Sequence, residues 1–214
     1  MKKVHILQPV DSNYIRLFRW LGYEYVDIMG KPDLICFTGG ADVDPECYGH
    51  KRHPTTYSSP SRDQHEKDVY ELYKGLVPMV GICRGGQFLN VMNGGTMYQD
   101  VSGHGRVAGH MMEILKNNRH IVVSSTHHQM MNPGPDHVLL GVGHEGGTRT
   151  FYVPKSHEKG EGDFFRTEKS EQDIEVVLYP KTKSLCFQPH PEYEHEDFMD
   201  MRLYFRELVE ELVK

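Results

Sequence analysis

The stretch Pro78-Met79-Val80-Gly81-Ile82-Cys83-Arg84-Gly85-Gly86-Gln87 sets an apolar run against a glycine-framed cysteine, and a segment of helical period, Gln87 to Met92, follows at once. A strand that turns directly into a helix strains the residue at the turn, and side chains two positions before and after it would collide. Gly81 and Gly85 remove that collision. The stretch therefore reads as a strand–cysteine–helix elbow, the joint of an α/β fold, with Cys83 presented at a helix N-terminus where the dipole and free N–H groups favour a thiolate.

Working outward, short apolar runs bounded by Gly, Pro or Asp predict strands at Val4–Leu7, Leu34–Phe37, Met79–Ile82, Ile121–Val123, Val138–Leu140, Ile174–Leu178 and Leu185–Phe187. Helical spacing falls at Tyr14–Trp20, Arg62–Leu76, Gln87–Met92 and again from Phe198 to Leu212. Strands alternating with helices in the first half predict a mainly parallel central sheet covered by helices on both faces. The strand-dense second half predicts an antiparallel extension. A length of 214 residues fits one domain, 1–214, with a real core.

The composition, 38% apolar and 25% charged, excludes collagen, coiled coil and disorder. The formal charge is −6, nearer roughly −3 once 14 partly protonated histidines are counted, and Lys and Arg form no stripe, so no nucleic-acid partner is expected. The absence of a continuous apolar leader or an 18-residue apolar run gives the expectation of a cytoplasmic protein without membrane contact. Cys36, Cys47, Cys83 and Cys186 form no C-x-x-C pair, so reduced thiols are expected. Lys155–Asp173 is densely charged and reads as a solvated excursion: a plain loop, a lid or a docking arm.

A helix terminus alone does not activate a thiol. Lowering its pKa from about 8.5 to about 6 takes roughly 3.4 kcal/mol, whereas the terminus supplies about 0.3–1 and at best about 2. A histidinium is the natural second cation, and Gln188-Pro189-His190-Pro191-Glu192 offers one on backbone stiffened by two prolines. Glu192, two residues on in an extended segment, can reach the other ring nitrogen and fix its tautomer. Alone, a surface His-Pro-Glu arises easily by chance; beside the cysteine elbow it reads as the rest of a triad. Phe37-Thr38-Gly39-Gly40-Ala41-Asp42 ends a strand in glycines, where backbone N–H groups can face a crevice. The Gly40 and Arg84 amides are the expected oxyanion hole.

Cys36 and Cys186, inside strand runs, read as core. A metal among His190, Glu192, Glu194, His195, Glu196 and Asp197, or on the adjacent His127 and His128, is weighed and set aside, because neighbours on a strand face opposite ways. Gly141-x-Gly143-x-x-Gly146 matches a dinucleotide fingerprint literally, but Thr148–Val153 reads as a strand where a helix is required. No metal and no organic cofactor is expected.

Taken together, Phe37–Pro45 with Tyr48-Gly49, Arg62-Asp63-x-x-Glu66, Gly81–Gln87 running through Leu89-Asn90-Val91 to Gly94–Asp100, His127-His128-Gln129 and His190-Pro191-Glu192 resemble the class I glutamine amidotransferase superfamily. Within it they are most similar to the γ-glutamyl-hydrolysing branch (peptidase C26) typified by γ-glutamyl-γ-aminobutyrate hydrolase. The matches run in order across about residues 33 to 192. Pro189 departs from the pattern, standing where the family usually has an aromatic residue. The resemblance implies a flavodoxin-like sandwich and a Cys83, His190, Glu192 triad that hydrolyses a γ-glutamyl amide through a thioester. It further implies that Gln87 holds the glutamyl group, that the backbone at Ser125 and Thr126 meets its α-carboxylate, and that Arg62, Glu66 and His128 stand behind the site. The expected partner is a small γ-glutamyl substrate. The alternatives are a glutaminase feeding ammonia to a separate synthetase through Lys155–Asp173 or Gly143–Gly147, and a non-catalytic ligand-binding relative.

Overall fold

The computed structural model describes residues 1–8, 10–143, 148–154, 162–168 and 173–214. The chain opens with β1 (Lys2–Ile6), α1 (Ser12–Trp20), β2 (Tyr23–Tyr25) and β3 (Leu34–Phe37), then α2 (Pro60–Tyr73), β4 (Met79–Ile82) and α3 (Arg84–Met92). Next come β5 (Thr96–Tyr98), β6 (Asp100–Val101), β7 (Gly105–Ile114), β8 (Arg119–Thr126), β9 (Met130–Asn132) and β10 (Val138–Gly143). The last elements are β11 (Thr148–Pro154), β12 (Gly162–Glu168), β13 (Asp173–Tyr179), β14 (Ser184–Phe187) and α4 (Met199–Leu212).

Nine strands form one sheet in the order β2-β1-β3-β4-β14-β13-β10-β7-β8. The first five are parallel and the pairs from β14 onward antiparallel, the mixed sheet that the two halves of the sequence predict. Every residue of β3, β4 and β14 is buried, because both faces are covered, which is why these strands read as continuous apolar runs rather than alternating ones. On one face Leu17 and Phe18 of α1 pack with Phe205 and Leu208 of α4; on the other Tyr70 of α2 packs with Phe88 and Leu89 of α3. Asp11 caps α1, its carboxylate accepting from the Asn13 and Tyr14 amides at 2.7 and 3.2 Å. No helix among the described residues is long and apolar enough to cross a membrane.

The short strands β2, β5, β6 and β9 have no counterpart among the predicted ones, and two larger features also differ from the expectations. β7 has no counterpart among the predicted strands: Gly105 and Gly109 break its alternation, and Gly109, at φ +72°, sits where the register to β8 shifts. Lys155–Asp173 is not wholly excursion, because β12 inside it pairs with β11 from Thr148↔Glu168 to Pro154↔Gly162. Phe165 stacks on Phe151 at 5.8 Å and Phe164 packs on Tyr152 and His53 at 5.4 and 4.8 Å, cross-strand contacts that the local charge density conceals. Residues 155–161 and 169–172 of that segment, and 144–147 of Gly143–Gly147, lie outside the described residues.

Candidate active site

β3, β4 and β14 lie side by side with Phe37 opposite Gly81 and Phe187 opposite Ile82, so their carboxyl ends stop together. The three segments that leave those ends are Thr38-Gly39-Gly40, Cys83 and Gln188-Pro189-His190, and they meet around Gly39, at the end of the sheet where open α/β folds usually hold ligands.

Cys83 stands at φ +52°, ψ −114°, a conformation that a side chain rarely adopts, and α3 begins at the next residue. The glycines permit the turn. A side-chain carbon on Gly81 would strike the Gly85 carbonyl and the Gly86 amide, and one on Gly85 would strike the Phe37 carbonyl of β3. The strain is held by the Cys83 amide donating to Phe187 O at 2.8 Å and the Gln87 amide donating to Cys83 O at 3.0 Å.

His190 lies against the same glycine turn as Cys83. Its Nδ1 lies 2.6 Å from Glu192 Oε1, and its amide donates to the Ser124 hydroxyl at 2.7 Å. Gly39 is the contact the two residues share: a side-chain carbon there would stand 3.2 Å from His190 Cε1 and 3.7 Å from Cys83 Cβ. Tyr193 stacks on the His190 ring at 4.7 Å and 7°, a second restraint on its plane. Burial works against the imidazolium, but the Cys83 sulfur and then Glu192 outweigh it and push His190 well above its ordinary value. With the folded value raised, the charged pair stabilises the fold fully below about pH 6.5 and progressively less as pH climbs through the folded pKa. An NMR titration of the His190 ring should therefore show a midpoint well above 6.5 in the wild type and a lower one in Cys83→Ala. Equal midpoints would show that the sulfur does not face the ring.

The glycine turn is clamped from two sides. Tyr14, on α1, accepts from the Gly39 amide at 2.9 Å. Arg62, on α2, donates to the Gly39 and Thr38 carbonyls at 3.0 and 2.8 Å and to Glu66 at 2.8 Å. Glu66 and Asp63 in turn pair with the buried Arg84 guanidinium, tying α2 to the first residue of α3. Gly40 (φ +132°) and Arg84 both line a pocket of about 230 Å³ over Cys83. Among the described residues neither of their amides donates to another backbone carbonyl.

The remaining predicted residues divide. Gln87 borders the pocket but is 2% exposed, and its amide nitrogen donates to Gln129 O and Gln188 Oε1. Gln188 Nε2 approaches Cys83 Sγ at 3.7 Å, so the two glutamines brace the sulfur. Thr126 faces the pocket, whereas the Ser125 side chain is buried and donates to His104 O at 2.6 Å. His128 Nε2 lies 3.1 Å from Asp42 at the pocket mouth, and that hydrogen bond raises its pKa. His127 also borders the pocket but is buried, with its Nδ1 2.9 Å from Gln129 O. Thr126 also lines a larger cleft of about 690 Å³ with Arg16, Glu192, Tyr193 and Phe198. Sequence reasoning missed Tyr14, Ser124 and Gln188. Of these only Gln188, beside the His-Pro-Glu motif, carried a local signal.

The fold, with its strand–cysteine–helix elbow, is the flavodoxin-like fold of class I glutamine amidotransferases. The sequence profile of the Peptidase C26 family matches residues 23–192, and the chain belongs to that family. A Mycobacterium tuberculosis protein provisionally assigned as a glutamine amidotransferase is 30% identical over 207 residues, 92% of this chain; the chain spans 58% of that protein's length. A glutamine amidotransferase-like protein of Lactococcus lactis is 45% identical over 75 residues, 33% of this chain and 38% of its own. Among solved structures, a glutamine amidotransferase of Thermotoga maritima superposes with TM-score 0.61 at 14% identity, covering 100% of this chain and 98% of its own. The PurLQS structure from the same organism gives 0.61 at 15%, with 99% and 98% covered. At these identities the structural likeness is one of fold.

Proposed function

We propose that the protein is a cysteine-dependent hydrolase of γ-glutamyl amide bonds, with Cys83 as nucleophile, His190 as acid and base, and Glu192 fixing the imidazole. The observation that carries this reading is Cys83 on its strained elbow, against the same Gly39 that His190 touches, with His190 Nδ1 2.6 Å from a buried carboxylate. The Cys83 thiolate attacks the γ-carbonyl carbon, and the Gly40 and Arg84 amides receive the oxyanion. As the C–N bond breaks, the His190 proton passes to the leaving amine. The neutral imidazole then takes a proton from water, which adds to the thioester carbonyl, and the sulfur departs as thiolate. Backbone amides and side chains suffice, so neither metal nor organic cofactor enters these steps.

The larger cleft sharing Thr126 supports an amine portion bigger than ammonia, because a group leaving the Cys83 pocket has a volume of about 690 Å³ beside it. A second reading, glutaminase component of a synthetase, draws support from structural neighbours that include PurLQS and a GMP synthase component from Thermoplasma acidophilum. Glutamate release from glutamine and from a panel of γ-glutamyl amines, with no other protein present, separates the two. Turnover of the amines is the expected result. Glutamine hydrolysis that appears only on adding a synthetase would favour the second reading, and no turnover of either with an unreactive Cys83 would favour the non-catalytic one.

A further inference from the structure

A second group of titratable side chains lies apart from the triad, where the antiparallel extension meets the pocket. His104 precedes β7, His110 is on β7 and Glu175 is on β13, 65 residues further along the chain from His110. Each offers a donor atom, these atoms lie within 4.8 Å of one another, and all three residues are buried. His127 lies over His104 with ring centroids 4.6 Å apart and also borders the Cys83 pocket.

Among the described residues, several polar atoms around this group meet no hydrogen-bond partner. Asp173 lies 3.2 Å from His104, and the Glu175 carboxylate lies among imidazoles. Its Oε1 is 2.9 Å from His110 Nε2. Glu175 Oε2, His110 Nδ1 and His127 Nε2 are buried and, among the described residues, without a hydrogen-bond partner. The Gln129 carbonyl, 2.9 Å from His127 Nδ1, requires the proton on that nitrogen, so Nε2 carries a bare lone pair. Such orphaned acceptors are costly in an interior. One extra proton on an imidazole answers the charge but leaves other lone pairs unmet. A cation with several coordination positions answers them together.

We propose that His104, His110, Glu175 and His127 bind one divalent transition-metal ion, zinc being the ion this nitrogen and carboxylate set suits, behind the wall of the Cys83 pocket. Zinc takes four such ligands at about 2.0–2.2 Å in a tetrahedron, so the His104, His110 and Glu175 donors, within 4.8 Å of one another, have to close inward, and the His127 ring beside His104 has to turn to supply the fourth. Asp173 against His104 and the Gln129 carbonyl against His127 are the two kinds of outer partner that commonly orient metal-bound imidazoles. The ion would tie β7 and β13 to the Ser125–Gln129 segment. It lies away from Glu194–Asp197 and uses His127 without His128, whereas the metal set aside in the sequence needs both histidines of that pair, and it takes no part in the hydrolysis.

The test uses the full chain carrying Cys83→Ala, which removes the active-site thiolate as a rival ligand and makes the outcome independent of catalysis. After stripping with a chelator, zinc is returned by equilibrium dialysis and counted by elemental analysis, cobalt is titrated with visible absorption, and the thermal midpoint is followed. The expected results are one zinc per chain, a tetrahedral cobalt spectrum without thiolate charge transfer, and a midpoint raised by roughly 5–10 °C at a hundredfold excess over Kd. Glu175→Gln and His110→Gln should each weaken zinc binding by about 100-fold or more. Failure of the Cys83→Ala parent to take up one equivalent overturns the proposal whether or not those variants fold, and assigns the cluster to a shared proton. Binding that is unchanged in folded Glu175→Gln or His110→Gln also overturns it.

Discussion

Cys83→Ala is expected to abolish γ-glutamyl amide hydrolysis, a loss on the order of 10⁴-fold or more, while leaving the protein folded. The size follows from the chemistry. Without the sulfur no thioester forms, and the oxyanion amides and bound substrate supply only the residual rate seen when a triad member is removed. The fold survives because the positive φ at Cys83 is imposed by the glycine frame and by backbone hydrogen bonds to Phe187 and Gln87, none of which involves the sulfur. Cys83→Gly should be equally inactive yet more stable than Cys83→Ala, by about 1 kcal/mol or more, because glycine adopts φ +52° without strain. Steady-state glutamate release and chemical denaturation measure both effects. Activity in Cys83→Ala equal to wild type would end the catalytic reading, and a Gly variant no more stable than the Ala variant would show that the elbow stores no strain.

That strain is legible in the sequence because its causes are local. Gly81 and Gly85 bracket Cys83, and Pro189 and Pro191 bracket His190, so backbone constraint and chemistry occupy the same few residues. Their meeting requires only that β3, β4 and β14 be neighbours, which their buried character and the parallel α/β pattern imply. Tyr14 is hidden because its position also suits a core residue, and nothing local reveals that its hydroxyl meets the Gly39 amide. Ser124 and Ser125 alternate along β8, one hydroxyl accepting from the His190 amide and the other donating to His104 O, and the sequence does not say which faces which. The His104, His110 and Glu175 group is out of reach for a further reason. It depends on the bulge at Gly109 and on pairings far apart in the chain, so no short motif contains it.

Arg84→Met is expected to destabilise the fold by about 3–5 kcal/mol, the usual consequence of removing one member of a buried ion pair. Arg84 is 1% exposed and its guanidinium answers both Asp63 and Glu66, which are 3% and 1% exposed. Methionine fills much of the same volume over Phe88 but leaves two carboxylates with Arg62 as their nearest partner, and Arg62 reaches only Glu66. Burial already raises the Asp63 pKa against the pull of Arg84, so without Arg84 it rises further. A carboxyl whose folded pKa is raised stabilises the fold most below its unfolded value near 3.9 and loses that contribution as pH climbs through the folded one. The deficit of Arg84→Met should therefore be larger at pH 8 than at pH 5, and urea unfolding at the two values measures it. Adding Asp63→Leu removes the stranded charge, so the double variant should recover part of the loss and show a weaker pH dependence. It should not recover activity in full, because Asp63 also accepts from the Asp44 amide at 3.0 Å, and α2 carries the Arg62 that holds the Thr38 and Gly39 carbonyls. A deficit that is the same at both pH values would show that the carboxylates stay compensated without Arg84, and that the clamp on the glycine turn does not depend on this ion pair.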